Sequence, residues 1–307
     1  VSMENAGITI DKAALKAFLD EVQSELDALT ERIYREAGQQ FNIRSAQQIG
    51  EILFKKLGLA AAKSTKGGQA STSQAVLEKL SGQHPVVDAL LEFRKLEKMR
   101  STYLEPLPRL AGPDSRIHTT FNQTATATGR LSSSNPNLQN IPVRGDLGRR
   151  MRTCFTAGPG MKLVSADYSQ VELRVLAHYS QDPTLLSAFR NGEDIHTRTA
   201  ALLFDVDPSQ IGPDQRRRAK TINFGLIYGM GARKLGQDLG IPLSEARMFI
   251  ERYFARFAHI KEFFDGVEEA ARRNGYVTTL SGRRRPLPDM LSQSGQARAL
   301  AERQAVN

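Results

Sequence analysis

The sequence predicts an α+β protein whose strands are confined to its middle. Three observations predict it. Apolar residues recur at helical spacing through the first hundred residues. Strand-like texture lies between Ile117 and Asp167. Helical segments then follow one another to Asn307, punctuated by proline and glycine. Helices, a few strands, then helices again is not the regular strand–helix alternation of a doubly wound sheet.

Taken in order, Asp11 to about Gly38 reads as an amphipathic helix. Ala14, Phe18, Val22, Leu26 and Leu29 recur three and four apart, and Asp11 can cap it. A second helix covers Ala46 to Leu57. KSTKGGQASTSQ, from Lys63 to Gln74, is small, polar and basic, and Gly67-Gly68 break regular structure. It reads either as a surface loop or as a loop whose lysines and hydroxyls touch phosphates. A long helix resumes from Val87 to Tyr103. The texture changes around Pro106 to Pro113. Ile117 to Ala127 alternates and is rich in threonine, so it reads as strand. Met161 to Asp167, after Gly158-Pro159-Gly160, is a short apolar run that suits another strand. Gln170 to Tyr179 reads as helix. From Ser187 onward helices are broken at Pro208, Pro213, Gly240-Ile241-Pro242 and Gly282. There is no internal repeat.

The totals set bounds. The chain has 307 residues, of which 40% are hydrophobic, enough for a real core and about two domains. Its net charge of +9 favours a polyanionic partner. No apolar run approaches the roughly 18 residues of a membrane span, so no membrane partner is expected. No signal-peptide pattern opens the chain, which makes the cytosol the default. One cysteine, Cys154, excludes an internal disulfide framework and reads as a buried strand residue. The chain begins with Val and ends in a helix-like run without a stop signal, so a piece of a longer protein is expected.

The segment RRRAKTINFGLIYG, Arg216 to Gly229, carries dense charge at one end and rings at the other. Pro213-Asp214 starts a helix there, with Asp214 as its cap. On that helix Arg216, Lys220, Phe224 and Tyr228 are each four apart and drift slowly around one face. Ala219, Ile222 and Leu226 fall on other sides and can pack inward. Arg216 to Phe224 spans about 12 Å of rise, similar to a nucleoside triphosphate. Phosphates would meet Arg216 and Lys220, and a base or sugar would meet the rings. Gly225 and Gly229 remove side chains beside the rings, so a flat object could approach.

Asp167 closes an apolar run and is followed by Tyr168-Ser169-Gln170-Val171-Glu172. A carboxylate at a strand end before a helix is a common place for a magnesium ligand. It equally suits a cap for a helix starting near Ser169. Glu172, with Arg174, also fits an ordinary charged helix face.

Together these segments resemble a known family. SADYSQVELRVLAH (Ser165 to His178) resembles the first palm motif of the DNA polymerase I family, the family A polymerases. RRRAKTINFGLIYG resembles its second motif, the fingers helix. TATATGRLSSSNPNLQNIPVR (Thr124 to Arg144) resembles the template–primer segment that precedes them. The resemblance covers nearly the whole chain. It implies a hand-shaped α+β fold: thumb over 1–113, first palm segment over 114–180, fingers over 181–307. It also implies that the Lys63–Gln74 loop is the thumb tip that grips duplex DNA, through Lys63 and Lys66.

The resemblance further implies roles. Asp167 would be one of two aspartates that hold two magnesium ions, with the Tyr168 carbonyl helping. Gln170 would line the nucleotide site. Glu172 would press on the sugar and exclude a ribose 2′-hydroxyl. Arg216, Lys220 and His196 would bind the triphosphate, and Lys220 would assist the chemistry. Phe224 would stack near the sugar and base, and Tyr228 would sit at the template side. Phenylalanine at 224 implies poor acceptance of dideoxynucleotides. Arg130, Gln139 and Asn140 would contact primer or template, and Arg303 and Asn307 match a similar pair at the end of the fingers. The implied function is template-directed DNA synthesis from deoxynucleoside triphosphates on primer–template DNA. The family's third motif, His-Asp-Glu with the second aspartate, does not occur before Asn307. The expectation is therefore a fragment with an incomplete palm, inactive alone. It would act as a monomer within the complete protein or beside a second chain that supplies the missing segment. A binding module for DNA or nucleotide is the other reading. The clusters Arg149-Arg150-Met151-Arg152 and Arg283-Arg284-Arg285 stand equally as phosphate contacts or solvated faces.

Overall fold

The computed structural model describes residues 1–60, 70–143 and 145–307. They form two compact units, Val1–Ser165 and Ala166–Asn307.

The first unit opens with α1 (Ser2–Ala6) and β1 (Ile8–Ile10), followed by the long helix α2 (Lys12–Ala37). Asp11 Oδ1 accepts from the Ala14 N–H at 2.9 Å, satisfying an amide that the first turn leaves without a partner. Helix α3 (Ala46–Gly50) runs into a wider π turn over Glu51–Lys56. Helices α4 (Gln74–Leu80) and α5 (Pro85–Met99) follow, and α5 continues as a π turn over Arg100–Leu104. Gln74 thus begins a helix rather than ending a loop, and the texture change at Pro106 begins with a short helix, α6 (Pro106–Leu110). Helix α2 packs along α5 because each carries one apolar stripe. Leu15, Phe18, Val22, Leu26, Leu29 and Ile33 are buried on one, and Val86, Leu90, Phe93 and Leu96 on the other.

Strands β2 (Arg116–Ile117), β1 and β5 (Phe155–Thr156) form an antiparallel sheet in the order β2-β1-β5, with Ile8 opposite Ile117 and Ile10 opposite Phe155. Strands β3 (Thr120–Asn122) and β4 (Ser132–Ser134) pair as a hairpin. The expected strand over Ile117 to Ala127 is therefore two short pieces. Its second half turns away, and the Thr126 hydroxyl donates to the Arg130 carbonyl at 2.6 Å. A 3-10 turn (Leu138–Asn140) and α7 (Gly145–Thr153) precede β5. Cys154 lies at the turn from α7 to β5 rather than within a strand, and burial pushes its thiol up.

The second unit is almost entirely helical: α8 (Val171–Ser180), α9 (Pro183–Arg190), α10 (Ile195–Phe204), α11 (Pro213–Ile227), α12 (Ala232–Leu239), α13 (Leu243–Arg256), α14 (Ala258–Asn274) and α15 (Gly295–Val306). Leu173, Leu185, Leu203, Ile222, Leu235, Phe249, Tyr253 and Phe257 fill its core. Between α14 and α15 lies a hairpin absent from the sequence reading, β6 (Tyr276–Thr278) with β7 (Arg284–Pro286). Its strands are three residues long and β7 is mostly charged, so no alternation announces it. Gly282, read as a helix break, sits in its turn.

One expected strand is absent. Met161 to Asp167 has no regular secondary structure and no strand pairing, and Met161, Leu163, Val164 and Tyr168 are exposed. A strand exists only where a neighbour takes its backbone N–H and C=O groups. No described strand pairs with this run.

Candidate functional site

Helix α11 brings together most of the predicted nucleotide residues. Arg216 and Lys220 are exposed, Phe224 is half-buried and Tyr228, at the helix end, is 36% exposed. Ala219, Ile222 and Leu226 are buried on the opposite side. The cation, cation, aromatic, aromatic row is thus real and lies on one face. The helix start differs in detail from expectation. Gly212 is the N-cap, Pro213 the first helical residue, and the Gln215 side chain accepts from the Gly212 N–H at 3.0 Å. Asp214 does not cap. Its carboxylate takes Arg217 and, at 2.8 Å, Arg218, because two guanidinium groups one turn away compete with the backbone for it.

The three arginines therefore serve two partners, Asp214 for Arg217 and Arg218 and Asp194 for Arg216. Arg216 Nη2 donates to Asp194 Oδ2 at 2.6 Å. Asp194 also caps α10, accepting from the Thr197 N–H at 2.8 Å. Burial works to raise the Asp194 carboxyl, but the hydrogen bonds from Arg216 and Thr197 outweigh it and hold the group below its usual range. Among the described residues Lys220 makes no ion pair, so it presents an uncommitted ammonium beside Arg216.

Beneath this face lies a polar group that periodicity did not flag. His196 is 3% exposed, Asn223 and Thr199 are fully buried, and the His196 ring packs 5.5 Å from that of Phe224. Asn223 Nδ2 is 3.1 Å from His196 Nδ1, and the Thr199 hydroxyl donates to Asn223 Oδ1 at 3.2 Å. Burial pushes the His196 imidazole below its ordinary value. Asp194 opposes that shift, and Arg216 and Lys220 add to it. The available signal for Asn223 was an amide on the inward side of α11, next to Ile222 and Leu226. For Asp194 it was Asp just before an apolar residue, the usual cap pattern.

Asp167 and Tyr168 lie in the exposed chain before α8. Asp167 is neither at a paired strand end nor the cap of α8, whose N-cap is Gln170 at φ 55. Glu172, half-buried in the first turn of α8, accepts from the Tyr228 hydroxyl at 3.4 Å. The structure thereby joins the two motifs through their side chains. Among the described residues, no three His, Cys, Asp or Glu side chains gather as a metal site.

The glycines beside the rings do not open a surface for a flat ligand. A Cβ at buried Gly225 would lie 2.9 Å from Met230 Sδ, so the space is filled by the protein itself. Gly229 has φ 68, and a Cβ there would lie 2.7 Å from Arg303 Cγ. Arg303 of α15 thus packs over the end of α11, while Asn307 is the exposed residue after that helix.

The other DNA-contact candidates lie in the first unit. Arg130 lies in the connection between β3 and β4 and Gln139 in the 3-10 turn after them, where Gln139 Nε2 donates to the Leu131 carbonyl at 3.1 Å. The Asn140 carbonyl accepts from the buried Tyr103 hydroxyl. Lys63 and Lys66 lie outside the described residues. The basic clusters are partly committed. Arg150 pairs with Glu21 and stacks 4.3 Å over Phe18, Met151 is core, and Arg285 donates to the Gln304 carbonyl at 2.8 Å.

Comparison with known proteins bears on all of this. The family model described as DNA polymerase family A matches residues 12–307. The chain is 52% identical to a thermostable DNA polymerase I of Thermus thermophilus over 99% of its own length and 37% of the relative's. It is 48% identical to DNA polymerase I of Deinococcus radiodurans, over 32% of that protein. Among solved structures, the POL domain of Pol1 from M. smegmatis, in complex with DNA primer-template and dNTP, superposes with a TM-score of 0.90 at 40% identity. That match covers all of this chain and 54% of the other. The chain thus spans about a third of the length of these curated relatives.

Proposed function

The chain belongs to DNA polymerase family A, and from that premise we propose that it supplies the thumb, first palm segment and fingers of an enzyme for template-directed DNA synthesis. The observation that carries the proposal is the row on α11. Arg216 and Lys220 stand next to Phe224 and Tyr228 on one exposed face, at the span of a nucleoside triphosphate. In this reading Arg216 and Lys220 take the phosphates of the incoming deoxynucleotide, and Phe224 and Tyr228 take its sugar and base. Glu172, held toward Tyr228, restricts the sugar edge. The primer 3′-oxygen bonds to the α-phosphorus as the bond to the bridging oxygen breaks, and pyrophosphate leaves. Lys220 stabilises charge gathering on that leaving group. Arg130, Gln139 and Asn140 serve primer–template DNA.

Asp167 is an exposed carboxylate beside the Tyr168 carbonyl, a fitting pair of oxygen ligands for magnesium, which keeps few protein ligands and shares substrate phosphates. When bound there, magnesium ions would neutralise phosphate charge and make the 3′-hydroxyl a better nucleophile. Asp167 belongs to no group of three or more His, Cys, Asp or Glu side chains among the described residues, and the chain alone is expected to bind without catalysing. The test is primer extension. The complete protein should extend a primed template and lose about 10³-fold or more with Asp167→Ala, while the 307-residue chain extends nothing. Template-dependent extension by the purified chain, or an unimpaired Asp167→Ala protein, would count against the reading.

A further inference from the structure

Phosphate recognition by the α10–α11 pair depends on which nitrogen of His196 carries a proton. That choice is made by whatever faces the other nitrogen. The group facing Nδ1 is the amide of Asn223, 3.1 Å away. Its Oδ1 is already directed to the Thr199 hydroxyl, 3.2 Å away. The same hydroxyl also lies 3.1 Å from Nδ2, so the amide is wedged between two neighbours. All three side chains are buried, where an unmatched donor or acceptor is costly. An amide that turns its NH₂ to the ring can be matched only by a lone pair on Nδ1.

We propose that Asn223 is a positioning residue: its buried amide holds His196 as the neutral tautomer protonated at Nε2. This rests on the reading of α11 as a phosphate-binding face. The site then offers two cations, Arg216 and Lys220, and one neutral donor, rather than three cations. The charged groups facing His196 agree with a neutral ring. Asp194 is the acidic neighbour and is already bound to Arg216, while Arg216 and Lys220 both oppose a further positive charge. A neutral Nε2–H hydrogen-bonds to a phosphate oxygen without the repulsion an imidazolium would meet. Burial and the two cations keep that ring neutral to a lower pH than a free histidine. A flipped amide, with Oδ1 toward the ring, would require the opposite tautomer.

The experiment is long-range ¹H–¹⁵N correlation on the 307-residue chain labelled at histidine, with His196→Gln assigning the signals. The expected wild-type result is a protonated Nε2 and a bare Nδ1 at neutral pH. Asn223→Asp puts an acceptor against Nδ1. It should move the proton there and make His196 titrate about one to three pH units higher. A wild-type ring protonated at Nδ1, or one already an imidazolium at neutral pH, overturns the proposal whether or not Asn223→Asp folds. A folded Asn223→Asp chain with the wild-type tautomer and titration overturns it equally. Adding inorganic tripolyphosphate separates the two readings. An Nε2–H signal that shifts supports both. The expected tautomer with no response to tripolyphosphate keeps the role of Asn223 and removes the phosphate-binding reading beneath it.

Discussion

His196 carries the clearest residue-scale consequence. Burial depresses its pKa below the ordinary 6.5, so below that pH the unfolded chain takes up a proton that the folded chain refuses. Stability is then fully present above about pH 6.5, falls as pH drops through the folded value, and levels off beneath it. Denaturant midpoints measured from pH 8 down to pH 5, at about one-unit steps, should decline over that window. His196→Gln should flatten the decline, and an unchanged slope would contradict it. Asp194, also depressed, acts only below its ordinary 3.8, so the two windows do not overlap. At this scale the row of cations and rings along α11 was legible, because exposure follows a period that the sequence displays. The partners were not. Asp194 and Asn223 lie 22 and 27 residues from the groups they meet, and no local pattern reports such pairings. Gly225 was misread for a related reason. A glycine signals missing volume but not what fills it, and here Met230 does.

Among the elements, α2 was read correctly from end to end. Its stripe, its Asp11 cap and its Gly38 stop are all local signals. Asp11→Ala should cost about 1 kcal/mol of stability through the lost bond to the Ala14 amide, measured by urea unfolding, while Asp11→Asn should lose far less. Equal losses for both variants would mean that the carboxylate acts by charge rather than as a cap. The run from Met161 to Asp167 shows the opposite situation. Its composition suits a strand, yet strandedness belongs to a pair, and the described residues offer no partner. The β6–β7 hairpin was missed because its turn glycine stands among arginines, which outweighed any strand signal in Tyr276–Thr278. Asp214 shows the same competition within one helix turn, where nearby arginines took the carboxylate assigned to capping.

For the whole molecule, net charge, fold class and family agree. A +9 chain in a polymerase family should bind primer–template DNA through phosphate contacts. Its affinity should fall by about tenfold or more between roughly 50 and 200 mM salt. Fluorescence anisotropy with a labelled duplex would check this, and a flat response would remove phosphate contact as the source of binding. Much of the fold was legible because helices declare themselves by periodicity, and long motifs in order identified the family. What was not legible is the division of the chain at Ser165, which cuts through a motif that reads as continuous.

The central claim is that the exposed face of α11 receives the triphosphate. The most direct test is calorimetric titration of the chain with a magnesium deoxynucleoside triphosphate, wild type against Lys220→Ala. Removing one charged donor to phosphate should weaken binding by about 10- to 100-fold, with the fold intact by circular dichroism. Identical affinities for the two proteins would contradict the account.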